Sequence, residues 1–275
     1  MTDAALDLPS PSEADFLTLG GGAPVLATVP LLIAGFADPS RAVWASAICD
    51  EPGFASVVGP RSLVVATDPP FGDPLFSALH DGMAIGLLAA DFVADSNLVI
   101  HGRAYVRRRG FIVRHAVANR RGTDRLPARH WALTEAIAAV GALRERVVVT
   151  DLHVVRDLVS SSELFFLVVD DSLPPQPVIG RIGFARAEGA RTLRFDDKAR
   201  SMARDARVGI LFIDFLTGST FQLSGRRRAD RLRLGEHVIH LDQGYFTAAA
   251  LPLTWHDART IPGAVGVPEE MSIQP

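Results

Sequence analysis

Gly86-Leu87-Leu88-Ala89-Ala90-Asp91-Phe92, followed by Leu98-Val99-Ile100-His101-Gly102-Arg103, returns further along the chain as Gly209-Ile210-Leu211-Phe212-Ile213-Asp214-Phe215, followed by Phe221-Gln222-Leu223-Ser224-Gly225-Arg226. The spacing is ungapped, since 209 − 86 and 225 − 102 both give 123. Two apolar strands and their turn, repeated at a fixed offset, predict a duplicated domain. Upstream, Gly53-Phe54-Ala55 with Gly59-Pro60-Arg61-Ser62-Leu63 matches Gly183-Phe184-Ala185 with Gly189-Ala190-Arg191-Thr192-Leu193 at an offset of 130. The step from 130 to 123 means that the second copy lacks seven residues of the segment that runs from Leu63 to Gly86 in the first.

Short β-rich runs separated by turn signals surround this frame. In copy 1 strands are expected over 31–37, 42–48, 54–58 and 62–66, with Asp38-Pro39-Ser40 as a turn. The run 83–92 is nearly all apolar, as for a strand buried on both faces, whereas 98–107 alternates and lines one face of a sheet. Copy 2 repeats the pattern at 164–170, 177–182, 192–195, 208–215 and 221–227, with two further strands at 236–241 and 245–251. Six or so such strands per copy predict a small barrel, so the fold class is mainly β with short helices. The expected divisions are a flexible tail over 1–24, copy 1 over 25–126, a helical linker over 127–160, copy 2 over 161–256 and a tail over 257–275. The linker rests on two readings. Trp131, Leu133, Ile137, Val140 and Leu143 after Pro127 give a helix to Arg146, and Asp151 caps a second helix through Val159.

Composition narrows the function classes. A chain of 275 residues with 48% hydrophobic content and net charge −3 holds two ordinary cores and offers nothing that favours nucleic acid. One cysteine, Cys49, excludes an internal disulfide framework and any multi-cysteine metal site. There is no signal-peptide pattern and no apolar run near the ~20 residues of a membrane span, so a cytoplasmic location is expected.

The run Arg207-Val208-Gly209-Ile210-Leu211-Phe212-Ile213-Asp214-Phe215-Leu216-Thr217-Gly218, with Leu223-Ser224-Gly225-Arg226, resembles the pyridoxamine 5'-phosphate oxidase-like FMN-binding split barrel. Copy 1 carries the same pattern, and Pro252-Leu253-Thr254-Trp255 resembles a C-terminal element of two-copy members. The resemblance implies two tandem split β-barrels packed as an intramolecular pseudo-dimer, with a homodimer of chains also open. It further implies an oxidoreductase with FMN in a cleft between barrels and a small-molecule substrate. Its phosphate would be held by basic and hydroxyl side chains. In copy 2 the corresponding segment reads Phe195-Asp196-Asp197-Lys198-Ala199-Arg200-Ser201, without the usual Gly-Asn turn. In copy 1 it reads Phe71-Gly72-Asp73-Pro74-Leu75-Phe76, without a basic residue near it.

The candidate phosphate ligands are therefore Lys198, Arg200, Ser201 and Arg204 on a short predicted helix, together with Arg103 and Arg226 after the repeated glycines. The bland alternatives are a solvated face balanced by Asp196, Asp197 and Asp205, and charged strand ends that discourage edge pairing. His237 and His240, three apart on a strand, point to opposite faces and make no metal pair. His80, His101 and His115 of copy 1 leave a haem ligand as the alternative to flavin. That alternative is a degenerate split barrel without flavin, which binds haem or another ligand or serves as a non-catalytic partner protein. Asp91 and Asp214 end repeated strands, where bonding of backbone groups is expected. No residue presents itself as a catalytic acid or base.

Overall fold

In the computed structural model the described residues are 16–17, 19–92, 96–122, 129–133, 146–162, 164–170, 177–181, 185–196, 205–228, 236–248, 250–251 and 253–257. Copy 1 contains β1 (Phe16–Leu17), α1 (Leu19–Thr28), β2 (Leu31–Ala37), β3 (Val43–Cys49), β4 (Ala55–Gly59), β5 (Ser62–Val65), α2 (Pro74–Ala78), β6 (Met83–Asp91), β7 (Ser96–Val106) and β8 (Phe111–Gly122). Two short strands, β9 (Arg129–Leu133) and β10 (Arg146–Val148), then lead to a 3-10 turn (Leu152–Val155) and α3 (Arg156–Ser161). Copy 2 follows with β11 (Leu164–Val169), β12 (Pro177–Arg181), β13 (Ala185–Gly189), β14 (Thr192–Asp196), β15 (Arg207–Ile213), β16 (Thr220–Arg228) and β17 (Glu236–Thr247), and β18 (Leu253–Asp257) closes the described chain.

The two copies build the same object. One antiparallel sheet runs β3-β2-β6-β7-β8-β5-β4 and the other β12-β11-β15-β16-β17-β14-β13, with β1 added to β8 and β10 to β17 at matching places. Register agrees residue by residue: Val99 faces Asn119 across β7 and β8, and Gln222, 123 positions on, faces Tyr245 across β16 and β17. Both ladders slip at the repeated glycine, between His101 and Arg103 and between Ser224 and Gly225. A Cβ on Gly102 would stand 2.6 Å from the Arg114 carbonyl oxygen, and one on Gly225 would stand 2.4 Å from that of His240. Only glycine lets the bulged strands approach so closely. These are the two tandem split barrels of the mainly β class.

Each sheet curls over its own core, one centred on Phe36, Leu63, Leu87 and Phe111, the other on Leu167, Leu193, Phe212 and Phe221. A third apolar cluster draws on both copies, with Leu31, Ile33, Val43, Leu88 and Val99 meeting Phe166, Val168, Leu211 and Ile213. Strands β6 and β15 are apolar on both faces for this reason: one face serves the barrel and the other serves the junction. Phe92 and Phe215, equivalent residues, touch edge-to-face with ring centres 5.8 Å apart. Contact between a residue and its own counterpart is the mark of two-fold packing, here within one chain.

Three expectations need correction. The helix expected over 127–146 is strand wherever it is described, because Trp131 and Leu133 pair with Trp255 and Leu253 in a separate two-stranded sheet. The expected tail over 1–24 includes β1 and most of α1, whose Leu19, Val25 and Leu26 are buried in the copy 1 core. The strands expected at 236–241 and 245–251 are one continuous strand, β17, up to Thr247. The short helices after Asp151 form as expected, with the Asp151 carboxylate accepting from the His153 amide at 2.9 Å.

Candidate functional site

The pseudo-two-fold creates two junctions between the copies. At the first, β3 and the 66–82 connection of copy 1 meet β16 and β17 of copy 2, with β10 alongside. Gln222 crosses the boundary: its Nε2 reaches the Ala45 carbonyl at 3.1 Å, Ser46 Oγ at 3.0 Å and Asp73 Oδ2 at 2.9 Å. Asp73 Oδ1 accepts from Ser46 Oγ at 2.7 Å and from the Leu75 amide at 2.8 Å, so the same carboxylate caps α2. The Asp73 residue keeps some exposure, but protein surrounds its carboxylate. That burial pushes its pKa above the usual value, against donors from Ser46, Leu75 and Gln222 and the positive charge of Arg146.

Arg146 and Tyr245 complete the group. The guanidinium carbon stands 3.4 Å from the centre of the Tyr245 ring. That ring lies 5.5 Å from Trp44 and packs against the copy 1 core. Trp44 is fixed from its far side by Nε1 donating to Asp38 Oδ2 at 3.1 Å. Burial lowers the Arg146 pKa, opposed by the negative charge of Asp73, and its Nε and Nη2 are enclosed without an acceptor. The backbones also meet here, since a Cβ on Gly209 would stand 2.6 Å from the Trp44 Cα. Arg207 Nη1 donates to the Arg41 carbonyl at 3.0 Å, a second tie between copies.

At the second junction the equivalent positions change character. In the order of Thr220, Gln222, Ser224 and Tyr245 stand Asn97, Val99, His101 and Asn119. The connection that carries Asp73 in copy 1, seventeen residues over 66–82, is ten residues over 197–206 in copy 2, because of the seven-residue deletion. In sequence the copy 2 connection carries Asp197, Lys198, Arg200, Ser201, Arg204 and Asp205, of which 197–204 lie outside the described residues. Asn97 and Asn119 are each 8% exposed, and Asn97 Oδ1 is enclosed without a donor.

The expected site residues divide accordingly. Lys198, Arg200, Ser201 and Arg204 lie outside the described residues. Arg103 and Arg226 are exposed and held within their own copies: Arg103 Nη1 donates to the Gly82 carbonyl at 2.8 Å, and Arg226 Nε lies 3.4 Å from Asp242 Oδ2. Each faces a second basic side chain across the ladder, Arg114 for Arg103 and His240 for Arg226. His80 Nδ1 lies 2.8 Å from the Ala78 carbonyl, and His115 has positive φ, +54°. Among the described residues no group of three metal-ligating side chains assembles, and no helix is long and apolar enough to cross a membrane. Asp214 bonds the turn after its strand through the Leu216 amide, 2.9 Å, and Thr217 Oγ1, 2.6 Å, as expected of a strand-end carboxylate.

No family model matches the chain, and no curated protein matches it. Five chains of known structure do. Among them, a single-residue variant of HupZ from Group A Streptococcus, solved at 1.98 Å, is 15% identical with a TM-score of 0.27. The match covers 33% of this chain and 94% of that one. At that score, the fold and site stand on this chain's own strands and side chains.

Proposed function

We propose that this protein is a split-barrel flavoprotein with one FMN per chain, placed at the second junction, and an oxidoreductase acting on a small molecule. The observation that carries the reading is the position of Asp73. A carboxylate bonded to Ser46 and Gln222 occupies the segment where the resemblance puts the phosphate of FMN, and with Arg146 already beside it this disfavours a second anion at the first junction. The shorter connection of copy 2 carries three cations, Lys198, Arg200 and Arg204, beside Asp197 and Asp205. Lys198, Arg200, Ser201 and Arg204 would hold the phosphate, a doubly charged group that needs converging donors once out of water. FMN would supply the redox chemistry, and the barrels would anchor and orient it and exclude solvent.

A second reading is a barrel that has lost flavin and binds haem or another ligand, or acts as a non-catalytic partner. The engagement of Arg103 and Arg226 within their own copies favours it, because two of the six expected phosphate ligands already have other partners. An absorbance spectrum of the purified protein, followed by FMN titration under fluorescence, separates the two. Flavin bands or saturable quenching support the first reading. A Soret band, or no saturable quenching, overturns it.

A further inference from the structure

We propose that Arg103 on β7 and Arg114 on β8, with the Ser62 hydroxyl on β5, form a binding site for a phosphate group on the outer face of the copy 1 barrel. The site is separate from both junctions and does not depend on the flavin reading.

Strand alternation and pairing place the three side chains together. Leu63, Ala104 and Val113 belong to the copy 1 core, so their neighbours Ser62, Arg103 and Arg114 point outward. Arg114 stands directly opposite Arg103 on one side and Ser62 on the other. Directly opposed residues have Cβ atoms about 4.5–5.5 Å apart, and like charges in that position destabilise a sheet. The fold tightens the pair rather than relieving it, since Gly102 and its bulge bring β7 close against the Arg114 backbone.

Two ordinary explanations fail. Charges that guard a free strand edge are not needed here, because β7 lies between β6 and β8, and β8 between β7 and β5. Ion pairing does not account for them either: both arginines are exposed, and neither pairs with a carboxylate among the described residues. Asp81 gives its Oδ1 to the Val106 amide at 2.7 Å, while Arg103 Nη1 takes the adjoining Gly82 carbonyl at 2.8 Å. The Arg114 guanidinium lies over the Tyr105 ring, its carbon 5.2 Å from the ring centre. That contact steadies the side chain and leaves its N–H donors for an acceptor from outside.

The duplication supplies a second observation. At the same register copy 2 sets Arg226 opposite His240, and His240 opposite Thr192. Other outward positions of these strands have diverged, Val99 to Gln222 and Ala84 to Arg207, whereas this row keeps a basic side chain, a second basic side chain and a hydroxyl. In copy 2 Asp242 Oδ2 stands 3.4 Å from Arg226 Nε and compensates it. The uncompensated pair is that of copy 1.

The geometry selects the ligand. One guanidinium fork satisfies a carboxylate, whereas two forks and a hydroxyl on three adjacent strands match a tetrahedral dianion with oxygens turned toward each. A phosphate group bridging the arginines also cancels the repulsion that the sheet otherwise carries.

The test is calorimetric titration of the full-length protein with inorganic phosphate and with glycerol 3-phosphate, with ionic strength held constant by chloride and with acetate as the carboxylate control. The parent is expected to bind phosphate saturably, with a rise in melting temperature, and acetate not at all. Arg103→Gln and Arg114→Gln should each weaken phosphate by about tenfold, and Ser62→Ala by about threefold. Arg186→Gln, which removes an exposed arginine from β13 of copy 2, should leave binding unchanged. Glycerol 3-phosphate binding as tightly as phosphate identifies the ligand as a phosphorylated small molecule, and its exclusion identifies free phosphate. Equal binding by the parent and both glutamine variants overturns the assignment, as does a parent that responds to phosphate no more than to acetate.

Discussion

The two junctions begin from one repeated sequence and end with opposite chemistry. At the first, a seventeen-residue connection carries Asp73 across to Ser46 and Gln222, and the boundary is sealed by hydrogen bonds between side chains of both copies. At the second, the connection is ten residues, the position of Gln222 is taken by Val99, and a buried asparagine oxygen is left without a donor. Duplication gives both sites the same scaffold, and a shorter connection together with different side chains on β7 and β8 gives the second junction another lining. Loops tolerate such changes because few buried contacts depend on their length.

The largest effect should come from forcing the first junction apart. Gly209→Val places carbon where the Trp44 backbone already stands, 2.6 Å from the new Cβ, and that backbone cannot rotate away. We expect a loss of about 3 kcal/mol or more in denaturant unfolding, or failure to express soluble protein. Gly189→Ala is the control, since its Cβ meets nothing within 4 Å. Equal behaviour of the two variants would break the claim that close backbone contact holds the copies together.

Next comes the carboxylate itself. Asp73→Ala removes the cap of α2 and leaves Gln222 and Ser46 short of an acceptor, at a cost of about 2–3 kcal/mol by urea unfolding. A loss below half a kcal/mol would mean that the seal contributes little.

Asp73→Asn sharpens the comparison through pH. The folded state raises the Asp73 pKa above 3.8, so this group's contribution to stability is fully present below that value and is lost as pH rises through the folded pKa. Asparagine has no such dependence. Relative to the parent, the variant should therefore gain stability as pH is raised from about 4 to 7, measured by unfolding at each pH. A relative loss over that interval would reverse the sign assigned here.

The smallest effects are expected at Arg226, which is exposed and shares a surface ion pair. Arg226→Ala should cost under about 1 kcal/mol in stability and leave FMN affinity unchanged, whereas Arg200→Ala should weaken FMN by about 1.5–3 kcal/mol. If Arg226→Ala is the weaker binder, the phosphate site lies elsewhere than proposed.

Much of this architecture is readable from residues 86–103 and 209–226 alone, because strands buried on both faces leave long apolar runs and a duplication repeats them in register. Failures came where pairing is remote. Leu133, Ile137 and Val140 have helical spacing, but Trp131 and Leu133 pair with Trp255 and Leu253, more than a hundred residues away, which no local periodicity reports. The first junction is half legible: Asp73-Pro74 is a helix-start signal, yet only the fold brings Gln222, 149 positions on, to that carboxylate and sets Arg146 beside it. Arg146 and Tyr245 gave no signal as a pair, because the stacking depends on β10 joining β17. Asn97 was invisible for a related reason: an orphaned oxygen is a property of packing.

The inequivalence of the junctions is tested most directly by counting flavin. Equilibrium dialysis of the purified, full-length protein against FMN, with bound flavin and protein chains both quantified, should give one FMN per chain at saturation. Two per chain would contradict the sealing of the first junction by Asp73 and Gln222, and none would contradict the ligand role given to the second.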